Sequence, residues 1–153
     1  VVHDQVIAGA QGIAGEWGHN FLDESGGPCY CGKTGCVETV ISGPALQKYY
    51  ASLSGRHLSM KAILEYYAQG DAAARQTMER LIGFFGKALS VVINIVDPGA
   101  IILGGGLGNI DLLYTKGKEA VAKHVFNNRP DIVLLKPVLG DSAGRFGAAL
   151  LTA

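Results

Sequence analysis

Cysteine is scarce in this chain: three residues in 153, an odd number that cannot pair completely. A disulfide framework is therefore not the expected source of stability. Net charge is also missing, because thirteen Lys and Arg cancel thirteen Asp and Glu and no basic cluster breaks the balance. That removes the electrostatic footprint on which non-specific nucleic-acid binding depends. Charged residues make up only 17% of the chain against 48% hydrophobic ones, the opposite of a disordered composition. Long apolar runs are absent as well. The richest stretch, from Ala88 to Leu103, is broken by Asn94 and by Asp97-Pro98-Gly99, so no membrane span is expected. No cationic head followed by an apolar run opens the chain, and no repeat or low-complexity tract is present. These absences predict a soluble, cytoplasmic, globular chain of one ordinary domain's size. Val1 falls inside an apparent strand, VVHDQVIAG, without an initiator methionine, which predicts a fragment or a processed product.

The few cysteines are concentrated. Cys29, Cys31 and Cys36 follow His19 in GEWGHN and CYCGKTGCVE. Three thiolates and one imidazole make a complete tetrahedral set for zinc with no open position, hence a structural site. Gly32 and Gly35, between the last two cysteines, allow the positive φ values that wrapping sulfurs around one ion requires. Buried free thiols, or one disulfide with a cysteine left over, are the alternative readings. Glu16 and Glu38 flank these ligands, and closing the loop brings both carboxylates toward the imidazole. Carboxylates accept hydrogen bonds from vicinal hydroxyls, and a metal-bound imidazole is fixed in orientation, so a polyol or sugar suits such a site. The plainer alternative makes both glutamates partners of the metal ligands or helix-terminal charges. His3, His57 and His124 have no partner pattern and are assigned to the surface, as is Lys33.

The remainder predicts helices joined to short strands. GPALQKYYASLSG is a helix with Pro44 in its first turn and Gly55 past its end, Leu46, Tyr49, Tyr50 and Leu53 sharing a face and the tyrosines going to the core. A second runs from Ser59, as N-cap, to Gln69, where Gly70 ends it. A third starts after Asp71 and reaches Val96, because Met78, Leu81, Ile82, Phe85, Leu89, Val92, Ile93 and Val96 recur at helical spacing; Pro98 stops it. AIILGGGLGN is then a strand running into glycines, followed by a helix over Asp111 to Val125. DIVLLKPVL is a buried strand after Arg129-Pro130, and DSAGRFGAALLTA a closing helix. The alternation predicts an α/β domain. A glycine run between strand and helix offers free N–H groups to a nucleotide or phosphate. GGGLGN nevertheless has Asn109 at the third glycine of a dinucleotide fingerprint and lacks the Lys-Ser/Thr of a P-loop, so a plain tight turn is the competing reading.

GIAGEWGHNF with CYCGKTGCVET, the His-x9-Cys-x-Cys-x4-Cys spacing, VDPGAIILGGGLGN and the GAALL end together resemble the family that unites repressors, uncharacterised reading frames and sugar kinases, usually called ROK. The form of GEWGHN with CYCGKxGCxETxISG looks most like its fructokinase and mannokinase branch. The resemblance implies an actin-like ATPase (ribonuclease H-like) fold of two α/β domains with sugar and ATP between them. It further implies that residues 1–153 form the C-terminal, sugar- and zinc-binding half. His19, Cys29, Cys31 and Cys36 would hold structural zinc, Glu16, His19 and Glu38 would contact sugar hydroxyls, and Gly104, Gly105 and Gly106 would line the adenosine side of an ATP site. The family's Asp-x-Gly-Gly-Thr phosphate loop and the Asn-Asp motif carrying the general base do not occur in this sequence. Transfer of the ATP γ-phosphate, with Mg²⁺, to fructose or mannose is the implied reaction of the intact protein; half a cleft should not turn over. N-acetylglucosamine kinase, glucokinase and a sugar-responsive repressor are the implied alternatives, a free-standing zinc-stabilised interaction module is a further one, and a homodimer is expected.

Overall fold

Serine and aspartate caps set the helix boundaries. The computed structural model describes residues 5–128 and 130–150, and the chain divides into two units, Val1–Val40 and Ile41–Ala153.

The first unit is made of turns, as its glycine-rich sequence requires. Single 3-10 turns cover Trp17–His19 and Glu24–Gly26, and isolated antiparallel bridges join Phe21 to Cys36 and Pro28 to Thr34. Helix α1 (Val37–Ile41) begins directly after Cys36. The strand expected over VVHDQVIAG is not seen in its described part: beyond a bridge residue at Gln5, residues 6–9 have no regular structure, and Val6 and Ile7 are exposed. A strand forms only where a partner takes up its N–H and C=O groups. His3 and the first residues of that expected strand lie outside the described residues.

In the second unit, the Ser42 hydroxyl accepts from the Ala45 N–H at the start of α2 (Gly43–Ser54), and Gly55, at φ +71°, closes it in the left-handed conformation. Ser59 caps α3 (Met60–Ala68) through the Ala62 N–H. Asp71 caps α4 (Ala72–Val96) through the Ala74 N–H at 2.8 Å, and Asp97, left-handed at φ +45° ahead of Pro98, ends it. Tyr50, Ile63 and Ala74 are fully buried and are joined by Leu58, Met60, Tyr66, Tyr67 and Ala73. Two expected core positions fall outside the core: Leu53 and Val96 are both exposed, while Tyr49 is half-buried under the Arg80 guanidinium. Each lies at the edge of its helix's apolar stripe, and neighbouring helices reach only the centre of that stripe.

β1 (Ile101–Ile102) and β2 (Leu134–Leu135) pair in parallel, Ile101 opposite Leu134. Between them the expected helix over Asp111 to Val125 is modified. It contains a π turn at Leu113–Gly117, continues as α5 (Lys118–Ala122) and ends before Val125. Packing accounts for this, because Gly117 lies against the Phe85 ring and Gly86 against Ala120, where a Cβ would come within 2.7 Å of the Ala120 backbone. Backbone contact at that distance, which no propensity scale encodes, sets the register of α4 on α5. DIVLLKPVL is not a buried strand. Ile132 is buried, Leu135 is half-exposed and Val138 fully exposed, and regular pairing covers two residues. α6 (Ala143–Leu150) supplies the closing helix, whose expected last residues, 151–153, are outside the described ones.

Asp71 joins α4 to Arg56, whose guanidinium lies 2.8 Å from the carboxylate and also over the Tyr66 ring. The Ala74 amide first, and then Arg56, hold the Asp71 carboxyl below its ordinary value. The folded state thus binds this proton less readily than the unfolded chain, so Asp71 contributes stability that is present above the ordinary carboxylate range. That stability is lost as pH falls below about 4. Asp71→Ala should lower the midpoint of thermal unfolding at pH 7 more than Asp71→Asn, which keeps a capping oxygen, and the gap between Asp71→Asn and the parent protein should narrow toward pH 2, where the parent side chain also loses its charge. Thermal unfolding followed by circular dichroism at the two pH values is the check.

Candidate functional site

The first unit folds its four metal-ligand candidates together through backbone hydrogen bonds. The Trp17–His19 turn is closed by the His19 N–H on the Glu16 carbonyl at 3.2 Å, and the Asn20 carbonyl accepts from the Val37 N–H at 2.9 Å, holding the histidine beside the start of α1. Residues 29–33 form a tight hairpin: the Cys29 N–H donates to the Lys33 carbonyl at 2.8 Å and the Gly32 N–H to the Cys29 carbonyl at 3.0 Å. Gly32 takes φ +83°, as the spacing predicts. Gly35 is more tightly constrained, since it takes φ +74° and an added Cβ would lie 2.5 Å from the Asp23 carbonyl oxygen. Only glycine fits there, and that contact delivers Cys36 to the cluster.

One atom from each of His19, Cys29, Cys31 and Cys36 lies within 4.8 Å of all the others. Cys29 Sγ is 3.6 Å from His19 Nδ1, and Cys31 Sγ is 3.6 Å from Cys36 Sγ. Tetrahedral zinc, with bonds of about 2.3 Å to sulfur and about 2.0 Å to nitrogen, separates its ligand atoms by roughly 3.5–3.8 Å. The donor set and these spacings fit that ion. No disulfide joins the cysteines. Burial pushes the Cys36 thiol up to about 11, whereas the Lys33 backbone amide, aided by the neighbouring thiols and His19, draws Cys31 down to about 7. Cys31 thus gives up its proton more readily than Cys36, and metal affinity should fall as pH drops because protons compete for thiolate.

Opposite the sulfurs, the other ring nitrogen faces a polar group of side chains. His19 Nε2 is 3.6 Å from Glu38 Oε2, 3.9 Å from Glu16 Oε2 and 2.8 Å from the Tyr30 hydroxyl. The structure therefore brings together Glu16, His19 and Glu38, and both carboxylates are solvent-accessible. Glu38 lies in the first turn of α1, so its place as a helix-terminal charge and its approach to His19 coexist. Tyr30 was not singled out from sequence; its signal is the aromatic residue between two ligands in CYC.

Gly104, Gly105 and Gly106 lie on an exposed bend of the second unit after β1. Gly105 takes φ +76°, and a Cβ on any of the three would meet nothing within 4 Å. The crowded glycine of the run is Gly108, which is buried. His57, His124 and Lys33 are exposed, as expected. No helix among the described residues is long and apolar enough to cross a membrane.

Residues 1–153 match the sequence model of the ROK family. An N-acetyl-D-glucosamine kinase of Histophilus somni (strain 129Pt) is 33% identical over 162 aligned residues, covering 99% of this chain and 53% of the relative. Among solved structures, a ROK family glucokinase from Streptomyces griseus in complex with glucose and AMPPNP superposes with a TM-score of 0.85 at 28% identity, over 99% of this chain and 55% of that one. A ROK hexokinase from Thermus thermophilus gives 0.83 at 29% identity, over 95% and 49%. The chain spans about half the length of the curated relatives it matches.

Proposed function

The chain belongs to the ROK family and has its actin-like α/β fold, and from that premise we propose that it is the C-terminal, sugar- and zinc-binding half of a kinase. The proposed reaction transfers the γ-phosphate of ATP to a hexose hydroxyl. The observation that carries this reading is the convergence of Glu16 and Glu38 on His19 Nε2, on the side of the ring away from the cysteine sulfurs.

Zinc, bound by His19, Cys29, Cys31 and Cys36, would supply a fixed crosslink and no reactive position. The side chains do the recognition. With Nδ1 committed to the metal, His19 presents one N–H from Nε2, and the two carboxylates accept hydrogen bonds from neighbouring hydroxyls. Two acceptors and a donor around one small volume suit a ring bearing adjacent hydroxyls and discriminate against analogues that leave a carboxylate unpaired. Gly104–Gly106, open to solvent with no side chains in the way, would take the adenosine side of ATP. The base for the acceptor hydroxyl and the cradle for the γ-phosphate and Mg²⁺ belong, in this proposal, to the phosphate-loop half.

The fructose or mannose expected from the GEWGHN form finds no support among the relatives, whose names favour N-acetylglucosamine or glucose as the sugar to test. Calorimetric titration of these four sugars into the zinc-loaded protein should give its strongest binding with one of that second pair. Glu38→Gln should weaken it by about tenfold or more, because a neutral amide replaces a charged acceptor. An unchanged dissociation constant in Glu38→Gln would remove the carboxylate from the sugar site.

A further inference from the structure

Resting on the reading that His19, Glu16 and Glu38 meet a hexose, we propose that Tyr30 is a built-in competitor for that subsite. Its phenol occupies the place of a sugar hydroxyl until a hexose displaces it. The case begins with hydrogen-bond stoichiometry. His19 Nδ1 faces the Cys29 sulfur at 3.6 Å, and once that nitrogen serves as a ligand the neutral ring retains a single N–H, on Nε2. The Tyr30 hydroxyl lies 2.8 Å from that nitrogen, and the two rings meet edge to face with centroids 5.0 Å apart. The carboxylate oxygens of Glu38 and Glu16 approach the same nitrogen at 3.6 and 3.9 Å. One donor thus has two claimants, the phenol and the incoming sugar.

The tyrosine is placed to yield. It lies between the ligands Cys29 and Cys31, so a bound metal fixes its backbone while the side-chain torsions stay free. It is 82% exposed, which means that swinging outward costs little buried surface. A hexose must then bind the fraction of molecules in which the phenol has left, and its apparent affinity is reduced by that fraction.

Tyr30→Phe keeps the ring and deletes the competing oxygen. At so exposed a position it should bind one zinc per chain as the parent does, measured by atomic absorption. Hexose affinity by calorimetry should rise by about 2- to 10-fold, the range that a neutral hydrogen bond spans. An unchanged constant overturns the proposal, and a weaker one overturns it by making the phenol a sugar contact. If neither protein binds any hexose, the sugar reading fails and this proposal with it, whereas parent binding with an unimproved Tyr30→Phe removes Tyr30 alone.

Discussion

Cys31→Ser should release the metal and, with it, hexose binding. Cys31 is the exposed cysteine of the cluster, its sulfur 3.6 Å from that of Cys36, so serine at this position disturbs little packing and isolates the ligand's role. A serine hydroxyl at neutral pH is a poor replacement for a thiolate held near pH 7 by the Lys33 amide. Structural zinc in such sites stabilises by roughly 10 kcal/mol or more. Among its described residues the first unit has little beyond single 3-10 turns, the bridges Phe21–Cys36 and Pro28–Thr34 and the short α1 to substitute for it, so the loop carrying Glu16 and His19 should lose its fixed geometry. Zinc content should drop from one per chain to none, and calorimetric hexose binding should disappear in the same protein. Retained sugar affinity in a verified zinc-free Cys31→Ser protein would separate the metal from sugar recognition.

Gly108→Ala should be the most destabilising of the substitutions in the glycine run. The added Cβ would lie 2.0 Å from the Leu103 carbonyl oxygen, which is backbone and cannot rotate away. Leu103 is itself tied to β2, its N–H donating to the Leu135 carbonyl at 3.0 Å, and the Tyr114 hydroxyl donates to the Gly108 carbonyl at 2.6 Å. Relief of the clash would therefore move the strand pairing and the start of the following helix together. Overpacking of this kind costs about 3 kcal/mol at the upper end of its usual range, which for a chain of this size lowers the unfolding midpoint by roughly 6–12 °C. Gly106→Ala is the matched control, because its Cβ would meet nothing within 4 Å. Its stability should change by less than about 0.5 kcal/mol, while nucleotide affinity falls if Gly106 lines the ATP site. Equal melting temperatures for the two variants would contradict the packing assigned to Gly108.

The contrast between these glycines shows where sequence reading stops. In GGGLGN all four glycines look alike, and a nucleotide-binding turn and a plain tight turn were equally open readings. Packing distinguishes them: Gly108 is required by a carbonyl five residues earlier, Gly105 by its own positive φ, and Gly104 and Gly106 by nothing among the described residues. The same limit applies to DIVLLKPVL. Its apolar composition reads as a buried strand, but burial depends on which neighbours cover each face, and only Ile132 is enclosed.

What the sequence determined by itself was local and chemical. Ser59 and Asp71 announce helix starts because a short polar side chain satisfies an otherwise unpaired N–H within three residues, and that bond needs no tertiary partner. The metal-ligand candidates were legible for a similar reason, since one His and three Cys are picked out by donor chemistry. Tertiary structure decided the contacts between distant residues: Gly35 against Asp23, Gly86 against Ala120, the π turn that seats Gly117 on Phe85, and the Tyr30 phenol on His19 Nε2. Each depends on a distance between atoms far apart along the chain, set by close packing and backbone geometry, and periodicity and propensity carry no record of it.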